Sequence, residues 1–121
     1  MRKILLQSLA VLMLASATAF AASIEGEIVD SRCYQGMGKH GAEHQMCGQM
    51  CLKGGLPAGI LTSSGKYYTL LVQGSAFADV VGQKARVEGK VDEKSSTIVP
   101  LKVEVNKGGA WTAVALPNQM M

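Results

Sequence analysis

The sequence predicts a mainly β domain, a small OB-like Greek-key barrel of five or six strands, with a short helical Cys/His insert after the first strand. Three observations predict it. Ala85, Val87, Gly89 and Val91 alternate with Arg86, Glu88, Lys90 and Asp92, which is the period of a half-buried strand. A helix-like connection falls between the third and fourth strand-like runs. Arg32 to Gly55 contains no β-branched residue and is rich in Gly, His, Met, Cys, Lys and Gln, so it interrupts the β pattern as one block.

The elements follow in order. Arg2 and Lys3, the apolar run Ile4 to Leu14 and the small residues Ala15 to Ala19 make up the three parts of a secretory signal peptide over residues 1–21, with cleavage expected after Ala21. The apolar run is short of the roughly 20 residues a membrane span needs, so the expected product is periplasmic or secreted, with no anchor. Residues 22–121 then form a single domain. Ile24, Ile28 and Val29 predict a first strand over Ser23 to Ser31, with a bend or bulge at Gly26.

Within the insert at 32–55, Lys39 to Lys53 is expected to be helical, weakened by Gly41 and Gly48 and stopped by Gly54-Gly55. Ala58 to Thr62 and Lys66 to Val72 read as strands around the turn Ser63-Ser64-Gly65. Ser75 to Val81 reads as a short helix capped by Ser75 and stopped at Gly82. After the alternating strand, Asp92 to Ser96 turns the chain into Thr97 to Asn106. Leu101, Val103 and Val105 are expected inward there, and Pro100 marks an edge or bulge. Ala110 to Leu116 is a possible last strand.

Twelve Lys plus Arg stand against nine Asp plus Glu. Arg2 and Lys3 belong to the expected signal peptide, which leaves ten against nine and a net charge near +1. A nearly neutral surface gives no footprint for nucleic acid. Tyr34, Tyr67, Tyr68 and Trp111 are too scattered for a base-stacking platform.

The chemistry-bearing residues lie between Cys33 and Cys51. Cys33, Met37, His40, His44, Met46, Cys47, Met50 and Cys51 offer thiolate, imidazole and thioether groups, which suit copper or zinc. On one helix, His40, His44, Cys47 and Cys51 would share a stripe about 60° wide, with Met46 and Met50 on a neighbouring stripe. His44 and Cys51 would be about 10.5 Å apart along such a helix. One ion therefore needs Cys33 folded back from the first strand. The most economical ligand set is Cys33, His44, Cys47 and Cys51, with His40 as a further candidate.

The same cluster could instead sense redox state, and two other readings of the block stand beside metal binding. Cys33 paired with Cys47 or Cys51 would staple the insert and make the domain a structural or protein-interaction module. Closing a loop of about 15 residues would stabilise it by roughly 3 kcal/mol. Cys47 and Cys51 at i and i+4 could also exchange disulfides, although this is not the spacing of thioredoxin-like motifs. Three cysteines leave one thiol over after any single pairing. Asp30 is expected to cap or turn the chain before Cys33. Paired with His40 or His44 it would be a base and its orienter without a recognisable nucleophile. Gly54 to Gly59 reads as a turn, and Met120-Met121 as a frayed end. The expected partner is a metal ion or another periplasmic protein.

Gly26-Glu-Ile-Val-Asp30-Ser-Arg-Cys33-Tyr34, His44-Gln-Met-Cys47-Gly-Gln-Met-Cys51, Gly55-Leu-Pro57-Ala-Gly-Ile-Leu, Gly65-Lys-Tyr-Tyr and Gly82-Gln-Lys-Ala-Arg-Val-Glu-Gly89-Lys-Val together resemble a group of small exported bacterial proteins of uncharacterised function. The resemblance spans nearly all of the mature chain. It implies that Asp30, Cys33, His44, Cys47 and Cys51 work as one unit.

Overall fold

The first strand, β1 (Ala22–Asp30), is shared between two neighbours. The computed structural model describes residues 22–117, so the expected signal peptide and Met120-Met121 lie outside the described residues. From Ala22 to Glu27, β1 pairs antiparallel with β4 (Lys84–Asp92). From Glu27 to Asp30 it pairs antiparallel with β2 (Ala58–Leu61). The strand changes partner at Glu27. Gly26 sits beside this corner, where an added Cβ would lie 2.3 Å from the Leu61 carbonyl oxygen. It answers a close approach of backbones, not the expected bulge.

β2 turns back into β3 (Tyr67–Leu70), and β4 into β5 (Thr97–Lys107). A short parallel pairing of β3 with β5, Thr69 with Thr97 and Leu70 with Ile98, closes the five strands into a barrel. β6 (Ala110–Ala113) extends the sheet beyond β5. This is the expected OB-like barrel, with a sixth strand and a helical insert after β1.

Alternating residues fill the interior. Ile28, Ile60, Leu70, Ala85, Val87, Ile98, Val103 and Val105 are at most 1% exposed. The 3₁₀ helix Gly74–Val80 adds Phe77 to the same core. It occupies the place expected of a helix at Ser75 to Val81, but it has no side-chain cap from Ser75. β5 departs from simple alternation. Glu88 faces Lys102 while Gly89 faces Pro100, so Leu101 is the extra residue of a β-bulge. The bulge expected from Pro100 is present. It also reverses the expected direction of Leu101, which is 58% exposed, while Ile98 and Pro100 before it and Val103 and Val105 after it are buried.

The insert folds differently from a single helix over Lys39 to Lys53. It starts with α1 (Ser31–Met37), capped by Asp30, whose carboxylate accepts from the Arg32 and Cys33 backbone N–H groups. Gly38 ends α1 in the left-handed conformation at φ 67°, with its N–H bonded back into the last turn. The chain then crosses β1, and the Gly41 N–H donates to Glu27. A single 3₁₀ turn, Ala42–His44, leads into α2 (Gln45–Lys53). Gly41, at φ 87° and bonded to Glu27, lies outside the helical region, and the helix starts only after it.

α2 lies on the 3₁₀ helix Gly74–Val80, buries Gly48 and Leu52, and joins it through a Gln49–Asp79 hydrogen bond. Among the described residues no helix is long and apolar enough to cross a membrane.

Candidate metal centre

Three side chains of the insert converge at the end of β1. Asp30 is the last residue of that strand, Cys33 lies in the first turn of α1, and His44 precedes the first residue of α2. One donor atom from each lies within 4.8 Å of the other two. Local folding produces the arrangement. Asp30 caps α1, so its carboxylate sits over the first turn, where Cys33 is the third residue. The Ser31 N–H donates to the Pro57 carbonyl and fastens this corner to the far end of the insert. Gly48 lets α2 approach the same corner: a Cβ there would be 3.8 Å from the Asp30 Cβ and 2.9 Å from Val81 Cγ2.

The corner is largely buried, and one of its polar atoms lacks a partner. Asp30 is 1% exposed and Cys33 6%. The Nε2 of His44 is buried and has no hydrogen-bond partner among the described residues. Its nearest charged neighbour, Asp30 Oδ2, is 3.9 Å away, beyond hydrogen-bond reach. The Cys33 thiol is pushed up from its ordinary value of 9.0 to about 12. The main cause is its hydrogen bond to Asp30, followed by burial and the Asp30 charge. The neighbouring Cys51 adds smaller contributions. A carboxylate, a thiol and an imidazole nitrogen thus face one another at a buried corner, an arrangement that could hold a metal ion.

The other expected ligands are dispersed. Because α2 begins only at Gln45, the stripe of His40, His44, Cys47 and Cys51 does not exist as one helical face. His40 points its Nδ1 at Glu27, 3.4 Å away, and packs edge-on against the Tyr34 ring. It lines a cleft of about 670 Å³ with Glu27, Tyr34 and Lys84, away from the convergent trio. Cys47 is exposed on α2. Met46 and Met50 are 76% and 70% exposed, so they do not pack around the trio. Cys51 is half-buried and borders Cys33, but it stands outside the group whose donors are all within 4.8 Å. All three cysteines are free, and no two sulfurs are at bonding distance.

No family model, curated protein or solved structure matches this chain.

Asp30 entered the sequence reading as a cap, and its place in the trio follows from that role. A residue that caps a helix points its carboxylate at the third helical position, and Asp30-Ser-Arg-Cys33 puts a cysteine there. That spacing was the available signal. The hold of Glu27 on His40 and Gly41, by contrast, depends on the chain crossing back over β1 and has no local signature.

Proposed function

We propose that this protein is a small exported domain that holds one zinc ion through Asp30, Cys33 and His44, with Cys51 as the fourth donor. The observation that carries the reading is the buried, unpartnered Nε2 of His44 facing a carboxylate and a thiol. Burying such a nitrogen without a partner is unfavourable, and a cation between the three groups removes that penalty. A tetrahedral zinc with bonds of about 2.0–2.3 Å places its donors about 3.3–3.8 Å apart. The 3.9 Å between His44 Nε2 and Asp30 Oδ2 is already close to this spacing.

The mixed donor set favours zinc over copper. Copper(I) prefers thiolate and thioether, whereas the thioethers of Met46 and Met50 face solvent. Carboxylate, imidazole and thiolate together are a zinc set. The signal-peptide pattern at residues 1–21 and the resemblance to small exported proteins support a periplasmic or secreted location.

The test is elemental analysis and cobalt(II) substitution of the purified protein. The expected result is one zinc per chain, and a cobalt form with a tetrahedral visible spectrum and a thiolate charge-transfer band. A copper-loaded protein with no affinity for zinc overturns the choice of metal. Absence of both metals, and of the cobalt spectrum, overturns the metal reading.

A further inference from the structure

Zinc ligation leaves Cys47 without a role. Cys47 is exposed on α2, Cys51 one turn later is half-buried, and Cys33 is buried against Cys51. The three sulfurs therefore form a series from solvent to interior. Residues at i and i+4 of a helix are neighbours, with Cα atoms about 6 Å apart, inside the disulfide range. Their Cβ atoms are about 5–6 Å apart, wider than a disulfide takes, so α2 has to open locally for this bond to form. The second step also joins neighbours, since Cys51 is close enough to act on the Cys33 thiol.

We propose that these cysteines form an inward thiol–disulfide relay, in which Cys47 takes oxidising equivalents from a soluble disulfide and Cys51 passes them to Cys33. The Cys47 thiolate attacks one sulfur of the external disulfide, whose S–S bond breaks and releases one small thiol. The Cys51 thiolate then attacks the Cys47 sulfur, releasing the second small thiol and leaving a Cys47–Cys51 bond. Cys33 attacks the Cys51 sulfur, and Cys47 leaves as a thiolate and regains a proton. In sum, Cys33 and Cys51 lose two electrons and two protons. The external disulfide gains both and becomes two thiols. The relay ends with Cys47 free and ready to react again.

Exposure sets the order. A small disulfide reaches Cys47 directly, whereas Cys33 is only 6% exposed and exchange requires access to the attacked sulfur. On the zinc reading, the final Cys33–Cys51 bond consumes two of the four donors, so the same relay would expel the ion.

The experiment uses the purified protein, reduced and metal-free, with glutathione disulfide as the oxidant. Samples are acid-quenched, alkylated, cleaved after Lys39, Met50 and Lys53, and mapped by mass. The expected sequence is a glutathione adduct on Cys47, then Cys47–Cys51, then Cys33–Cys51. Cys47→Ala should reach the same final bond at least fivefold more slowly, and its exposed position keeps folding out of the comparison. Equal rates in that variant overturn the relay. So does a first adduct on Cys33 or Cys51, or a final Cys47–Cys51 bond with Cys33 still reduced.

A parallel run on zinc-loaded protein separates the two readings. One zinc released per Cys33–Cys51 bond supports both. A chain that completes the series but never held zinc overturns the zinc reading alone.

Discussion

His44 points its Nε2 toward Asp30 Oδ2 across 3.9 Å, with no hydrogen bond between them. The Asp30 carboxylate is meanwhile engaged by the N–H groups of Arg32 and Cys33. The two side chains are held as neighbours by the backbone around them and not by each other.

Removing the imidazole should therefore cost binding far more than stability. His44→Ala is expected to weaken zinc at least tenfold, while metal-free stability changes by less than about 1 kcal/mol. Chelator competition and thermal unfolding measure the two effects. A large loss of metal-free stability would show that His44 is a packing residue.

On the zinc reading, Asp30 has two separable roles. Asp30→Asn keeps an oxygen that can cap α1 but lacks the charge, so it should fold with near-normal stability and lose most zinc affinity. Asp30→Ala removes the cap as well and should cost a further 1 kcal/mol or so. Denaturant unfolding with parallel metal titration distinguishes the pair.

The Cys33 thiol has a pH signature in the metal-free protein. Its value rises from 9.0 to about 12 on folding, so the folded state keeps the proton where the unfolded chain has released it. Its contribution is constant below pH 9 and is lost progressively between pH 9 and about 12, approaching tenfold in the folding constant per pH unit. Cys33→Ser should flatten this part of the stability profile. On the zinc reading, the ion has to displace the same proton, so its affinity should increase with pH through neutrality.

Much of the fold was legible because the barrel strands are short and their residues report faces locally. Ala85 to Val91 alternates, Gly54-Gly55 stops α2, and Gly82 follows the 3₁₀ helix. Leu101 misled because a bulge shifts the period by one residue, and Pro100 shows that a shift exists without saying which neighbour absorbs it. The insert was harder. Ligand types were visible from Cys33 to Cys51, but their grouping depends on where α2 starts, and the left-handed Gly38 and Gly41, with the long-range bond from Gly41 to Glu27, mark that point.

The bulge itself can be checked. Leu101→Gln should change stability by no more than about 0.5 kcal/mol, because the side chain is already in solvent. Val103→Ala, two residues along and fully buried, should cost roughly 1–3 kcal/mol. Equal penalties would place Leu101 in the core.

Gly48 is the point where α2 meets the barrel. Gly48→Ala gains about 1 kcal/mol of helix propensity but sets a methyl group 2.9 Å from Val81 Cγ2, and overpacking of this kind costs about 1–3 kcal/mol. A net loss of stability is expected, together with weaker zinc binding. Combining it with Val81→Ala should be less harmful than the sum of the two single changes, as thermal unfolding of all three variants would show.

The Asp30–Ala58 pairing, together with the Ser31–Pro57 bond, ties the two ends of the insert at one place on the barrel. The insert is in effect a cassette on a two-strand socket. Its exposed positions can be rewired with little change to the strands beneath, whereas Leu52, Gly41 and Gly48 are fixed by what they meet on the barrel. In such an architecture the exposed side of the cassette can diverge on its own, while the residues that join it to the barrel change together with it.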